Sequence, residues 1–373
     1  VKIIRSDAFY NNDNLSKVTL GDSVITIGDY AFCDCDKLSN ITFGECVITI
    51  GDYAFYSCGN LGTLVIPDSV TTIGQEAFYY CSYLTSITIG KGIKSIGTGA
   101  FYYDSSNYRY VYITDLEAWC KIDFANATSN PLCNYWVRPS YFYINGTNAT
   151  NITIPDTITE IKPYAFYNCY SIKTVTIPDS VTTIGNSAFN NCDGLTSITI
   201  PDSVTTIGNS AFYDCNSLIS ITLSKDLQNV GERAFEGCSK LRDVFYPGSQ
   251  EDWDKVNIDN EYGSNGYLIN ADLFLMHKHD YTVTVTKEPT CTETGIRSFT
   301  CTVCSDYPVA ISGSKLQINV LEEKLTAKLK GYVINCNHLY FLILPYFIIS
   351  INRLCNSFNY KHICAKDFFS ILL

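Results

Sequence analysis

The sequence predicts a repeat solenoid, an α/β stack in which short parallel strands alternate with short helical or 3-10 turns. Phe recurs every 23 residues at Phe9, Phe32, Phe55, Phe78 and Phe101, and again at Phe166, Phe189, Phe212 and Phe235. The run IPDSVTTIGNSAF is spelled twice without a change, at Ile177–Phe189 and Ile200–Phe212. Apolar pairs of period two, such as Ile87 with Ile89 and Ile198 with Ile200, follow each Phe at a fixed distance. A constant period of this length marks an array whose units are too small to bury their own apolar side chains and do so by stacking.

Each element of a coil has its own chemistry. The Ile-x-Ile pairs have strand periodicity and place both side chains on one face. Pro67, Pro155, Pro178 and Pro201 end their strands because Pro has no N–H to donate. Asp-Ser then forms a turn, Val-x-x-Ile buries two more apolar groups, and Gly leads into a short Ala-Phe turn. Stacked coils lie about 4.8 Å apart, so each Ile, Leu and Phe rests on its counterpart in the next coil.

The motif Leu-x-x-Ile-x-Ile-Pro-x-x-Val-x-x-Ile-Gly-x-x-Ala-Phe-x-x-Cys is complete from Leu195 to Cys215. It resembles the BspA-like class of leucine-rich repeat, and nine coils within residues 1–247 carry it in register. The resemblance implies a curved right-handed solenoid with its parallel β-sheet on the concave face. It also implies a secreted or surface-attached bacterial protein that binds or adheres.

The register breaks over residues 113–151, where TDLEAWCKIDF occurs, and GSQEDWDKVNI follows the ninth coil. Trp119 and Trp253 each stand 18 residues after a repeat Phe, a shared phase that predicts a short helix burying each indole. Similar Trp segments interrupt the repeats of BspA-like proteins. Residues 248–276 are expected to close the stack as a C-terminal cap, which a solenoid needs for solubility. A ligand-stacking role for Trp119 is the sharper alternative.

Seven of the 17 cysteines stand three residues after the repeat Phe. In a parallel stack their Cβ atoms are about 4.8 Å apart and point the same way, whereas a disulfide prefers about 3.8 Å with converging vectors. They read as small buried hydrophobes. A separate module, residues 277–311, resembles a small His/Cys unit of gut Firmicutes surface proteins. There His279, Cys291, Cys301 and Cys304 are candidate ligands for a structural zinc, against a disulfide plus a free thiol.

The tail, residues 312–373, changes character. From Gly331 to Asn352 there is no charged residue, which is long enough to span a bilayer, with Arg353, Lys361 and Lys366 beyond it. Its Phe, Ile, Leu, Asn, Tyr and Lys bias also fits a non-native reading frame through AT-rich DNA, so membrane contact follows only if the tail is a genuine anchor. The chain opens at Val1 in mid-pattern without a signal peptide, and reads as a fragment whose secretion signal lies outside it.

The net charge of −11 argues against nucleic acid as a partner. All four histidines lie beyond residue 276, so the repeats offer no Ser-His or Cys-His pair, and no enzyme is expected. The acidic turn row of Asp22, Glu45, Asp68, Asp156, Asp179 and Asp202 reads as turn residues capping their own backbone.

Counting eight and ten residues after each Phe gives the outward face of the sheet. It is rich in hydroxyls: Thr42, Ser86, Thr88, Thr174, Thr176, Ser197, Thr199, Ser220 and Thr222, with Arg109 among them. Such a flat surface suits extended contact with a host-cell or matrix protein or a glycan. Tyr110, Tyr112, Trp119, Tyr135 and Trp136 around the irregular coil are the candidate aromatic anchors. The rival expectation is a structural spacer with no ligand of its own, since near-identical coils show little diversification.

Overall fold

The computed structural model describes residues 1–102, 108–133 and 140–275 fully, and beyond them the backbone of strands 281–287, 296–301, 309–312, 318–321, 324–327 and 333–334. The chain divides into two compact units, Val1–Met276 and His277–Leu373.

The first unit is a β-solenoid. One ladder is built of three- to five-residue strands: Lys17–Thr19, Asn40–Thr42, Thr63–Val65, Ser86–Ile89, Arg109–Ile113 and Ser140–Ile144 pair in parallel, in that order. A second ladder of two-residue strands runs from Ile3–Ile4 to Asp123–Phe124. Both ladders break near residue 150 and resume. Asn151–Thr153 pairs with Thr174–Thr176, and Ser197–Thr199 begins a run that ends at Asp272–Leu275. The two-residue strands resume from Glu160–Ile161 to Asn257–Ile258.

The repeat Phe rings, all buried except Phe9, form two columns with centroids 5.0–5.5 Å apart and planes within 14°. That spacing is offset stacking, which adds to the apolar burial. The Ala-Phe segment is a chain of turns rather than a helix. Alternate N–H groups leave the coil: Asp7, Phe9 and Asn11 donate to the carbonyls of Asp29, Ala31 and Cys33 of the next coil. Ala8 and Tyr10 between them donate within their own coil, to Arg5 and Asp7. This alternation forces a left-handed backbone two residues before and two after each Phe, with φ of 51–63° at Tyr30, Tyr53, Glu76, Tyr80, Tyr164, Ser187, Ser210 and Arg233.

The conserved phase of Gly has a different cause from the expected one. A Cβ on Gly74 would lie 2.5 Å from the Asp52 nitrogen, and one on Gly208 would lie 2.7 Å from the Asn186 nitrogen. Close approach of the preceding coil, not turn geometry, requires glycine there.

The repeat cysteines are buried, and each of the six with a regular coil before it donates its S–H to a Phe carbonyl of that coil. The distances are 3.1 Å for Cys35, Cys58, Cys215 and Cys238, 3.2 Å for Cys192 and 3.3 Å for Cys81. The thiol is therefore a directed donor as well as a space-filler. Three members of the acidic turn row also act between coils. Asp22, Asp68 and Asp202 accept through Oδ1 from the backbone N–H of Glu45, Lys91 and Lys225 at 2.8–3.1 Å. A parallel stack sets corresponding residues side by side, so the nearest open donor belongs to the neighbouring coil.

Both Trp segments are complete coils, and each contributes a strand to both ladders. Helix α1 (Leu116–Cys120), capped by Asp115, and helix α2 (Gln250–Trp253), capped reciprocally by Ser249 and Asp252, replace the Pro-Asp-Ser turn. Among the described residues no helix is long and apolar enough to cross a membrane. In the second unit, strands Tyr281–Lys287, Ile296–Cys301 and Val309–Ser312 pair antiparallel, and Ile318–Leu321 pairs with Lys324–Ala327.

Candidate binding surface

Strand alternation leaves one face of the longer ladder open. Thr42, Thr174, Thr176, Ser197 and Thr199 are exposed, and Ser86, Thr88, Ser220 and Thr222 are half-buried, each flanking a buried Ile, Val or Leu. Here the hydroxyl row stands where counting from Phe puts it.

Arg109 does not. It is fully buried, with Nη1 donating to the Phe101 carbonyl at 2.9 Å and Nε to that of Leu84 at 3.3 Å. One extra residue between Phe101 and this strand shifts the register, so Tyr110 pairs with Ser86 and Tyr112 with Thr88. A one-residue slip exchanges the two faces of a strand. Arg109 and Val111 therefore point inward, and Tyr110 and Tyr112 join the outward row. The signal was present in sequence, because Val111 and Ile113 match the inward pair Ile87 and Ile89.

The next strand places Tyr141 and Tyr143 beside them. Tyr110 stacks on Tyr141 at 5.4 Å, Tyr112 stacks on Tyr143 at 5.0 Å, and Tyr108 lies 5.8 Å from Tyr141. Small hydroxyl residues bound this patch on one side, at Ser86 and Thr88, so the rings stand as a step on an otherwise flat sheet. The hairpin that follows turns at Asn145 (φ 50°) and Gly146 (φ 75°), the type I′ geometry that Asn-Gly favours.

Trp119 is not on this surface. Its indole is buried against Phe124 and Phe142, and Nε1 donates to the Ala165 carbonyl at 2.9 Å. In regular coils the Phe N–H of the preceding coil satisfies the corresponding Ala carbonyl, at 2.8 Å for Phe166 to Ala188. The irregular coil has no such Phe, so the indole and the Asn130 amide, donating to the Tyr164 carbonyl at 2.7 Å, join the stack across the break in the ladders. Nothing in the sequence marked Asn130 for this task. Tyr135, Trp136, His279, Cys291 and Cys304 lie outside the described residues, as does the side chain of Cys301.

Along the later coils the same face carries an open depression of about 590 Å³ lined by Thr176, Thr199, Thr222, Pro201, Asp179 and Asp202 among others. Burial pushes the thiols of Cys81, Cys120 and Cys133 up to about 12 and those of Cys58, Cys169 and Cys215 well above their ordinary value, so none is a thiolate at neutral pH. Among the described residues no three His, Cys, Asp or Glu side chains gather as a metal site.

The sequence profile of the BspA type leucine-rich repeat region matches residues 2–129 and 138–261. The chain belongs to the BspA-type leucine-rich repeat family. No curated protein matches it significantly. Among solved structures, a leucine-rich cell surface protein from Faecalibacterium prausnitzii is 22% identical (TM-score 0.37, 69% of this chain and 86% of that one). The pneumococcal vaccine antigen PcpA is 22% identical (TM-score 0.43), covering 63% of this chain and 62% of its own. A leucine-rich repeat protein from Bacteroides ovatus is 22% identical (TM-score 0.26, 74% and 87%).

Proposed function

We propose that this BspA-type chain is an extracellular or cell-surface protein that binds or adheres to a host-cell or matrix protein or a glycan through the open face of its longer ladder. The observation that supports this reading is the tyrosine step: Tyr110, Tyr112, Tyr141 and Tyr143 are grouped on a hydroxyl-lined sheet. Large rings with a polar tip are the residues that dominate binding energy at interfaces. Buried, protonated thiols and the absence of histidine before residue 277 favour binding over catalysis. The domain division, with a Trp-containing cap (248–276) closing the stack and a small His/Cys module (277–311) after it, held by a structural zinc or by a disulfide with one free thiol, is part of the same proposal.

A second reading, a spacer that holds another domain away from a surface, is favoured by the sameness of Thr176, Thr199 and Thr222. The two are separated by measuring binding of the purified chain to cultured host cells and matrix proteins, beside Tyr141→Ser/Tyr143→Ser and Thr176→Lys/Thr199→Lys/Thr222→Lys variants. Saturable binding lost in either variant supports the open face. Absent binding, or binding unchanged in both, supports the spacer.

A further inference from the structure

The turn edge of the first coils carries a second aromatic feature that the open sheet face does not include. Tyr30 stacks on Tyr53 at 4.7 Å, and Tyr56, Tyr79 and Tyr102 form a column at 5.3 and 4.9 Å. Tyr53 lies 5.8 Å from Tyr56, and Tyr80 packs edge-on against Tyr79 at 4.4 Å, so the rings form one continuous patch. Tyr30 and Tyr80 remain about 40% exposed (38% and 43%).

The fold does not ask for these rings. Tyr30, Tyr53 and Tyr80 occupy left-handed positions where bulky residues are unfavourable, and the equivalent sites of later coils hold Ser187, Ser210, Asn168 and Asn191, with a ring only at Tyr164. Tyrosine there costs backbone strain and leaves apolar surface in water.

The chemistry around the patch indicates its partner. Residues 28–34, 51–57 and 74–80 contain no Lys or Arg, yet they hold Asp29, Asp34, Asp52 and Glu76. None of these four makes an ion pair among the described residues. Gln75 Nε2 donates to the Tyr53 hydroxyl at 2.9 Å and to Glu76 at 3.3 Å, tying ring and carboxylate together. The phenols of Tyr53 and Tyr56 are raised by burial and then by the Glu76 charge, which places that carboxylate's field on both rings.

The molecule also shows how such a patch is satisfied. In a later coil Arg233 lies over the Tyr213 ring at 4.8 Å and pairs with Glu236 at 2.7 Å. Arg233 stands two residues before its Phe and Tyr213 one after the preceding Phe, the sites that Glu76 and Tyr56 fill in the first coils. Rings and carboxylates recur there, and the guanidinium does not. We propose that this turn edge docks a basic segment of a partner protein, whose Arg or Lys side chains lie over the tyrosine rings and meet the adjacent carboxylates.

The test uses the full chain and a fluorescent peptide of alternating Arg and Ser, with the same peptide carrying citrulline for Arg as control. Anisotropy should show saturable binding of the first peptide and none of the second. Tyr53→Ser/Tyr80→Asn, which installs residues that the later coils carry at these sites, should keep the melting temperature and weaken binding about tenfold, the loss of two exposed cation–π contacts. Glu76→Gln should weaken it severalfold, while Tyr141→Ser/Tyr143→Ser leaves it unchanged, which separates this site from the sheet face. No saturable binding by the unmodified chain overturns the proposal. So does a Tyr53→Ser/Tyr80→Asn affinity within twofold of the parent, which would mean general attraction to an acidic protein.

Discussion

Residues 1–102 and 151–247 run the same backbone through the same ladders, yet they present different edges. The buried column of Phe, Ala, Cys and Ile is common to both, and so are the S–H donors and the glycines pressed against the coil before. At the left-handed turn positions they part: the first block places Tyr30, Tyr53 and Tyr80 where the second, apart from Tyr164, places small or polar residues such as Ser187, Ser210 and Asn191. Two equivalent scaffolds therefore separate what stacking requires from what it merely tolerates. The variable positions are where a partner has something to read.

Raising the pH should break both blocks together, because they share the thiol column. A thiol whose folded pKa lies above its unfolded value stabilises the fold fully below the unfolded pKa, and that contribution is lost as pH rises through the folded one. In the second block burial raises Cys169 and Cys215 well above 9.0, and for Cys81 in the first the window is from 9.0 to about 12. Within it each such thiol removes about 1.4 kcal/mol of stability per pH unit. Denaturant midpoints measured from pH 7 to 11 should be flat below pH 9 and fall steeply above it.

Trp119→Ala should separate the blocks. It removes a buried indole and a donor to Ala165, at an expected cost of about 3–5 kcal/mol. The marker of a junction is loss of a single cooperative melt, with amides of residues 151–247 exchanging independently of those of 1–102. A single transition at unchanged temperature would remove Trp119 from that role.

The smallest effects sharpen the contrast itself. Gly74→Ala and Gly208→Ala, one in each block, should each cost about 1–3 kcal/mol, since their Cβ atoms meet backbone. Tyr53→Ser should shift stability by no more than about 0.5 kcal/mol in either direction. Comparable losses at Tyr53 and Gly74 would mean that the tyrosines serve the fold after all.

Much of this architecture was legible in the sequence because stacking repeats its demands every 23 residues. Phe189, Ile207 and Cys215 announced their burial by recurrence. What recurrence could not show was direction. The partner of Asp68 is the coil that follows, and the partner of a Cys thiol is a carbonyl of the coil before. Arg109 was misplaced because distance was counted from Phe101 across a segment one residue longer than in the other coils, although the apolar alternation of Val111 and Ile113 reports the face directly. Trp119 and Asn130 join the blocks through contacts 46 and 34 residues away, and no local pattern encodes such a span. The tyrosines at left-handed positions were invisible because local propensity speaks against them.

The repeated spelling of Ile177–Phe189 in Ile200–Phe212 has a consequence for heredity. Every bond between regular coils joins one coil to its immediate neighbour, so removing or copying one 23-residue unit between Phe166 and Phe235 rejoins like to like. Gain or loss of one such unit thus changes the number of coils, and with it the reach of the molecule by about 4.8 Å per unit, while leaving the turn edge near Tyr53 untouched.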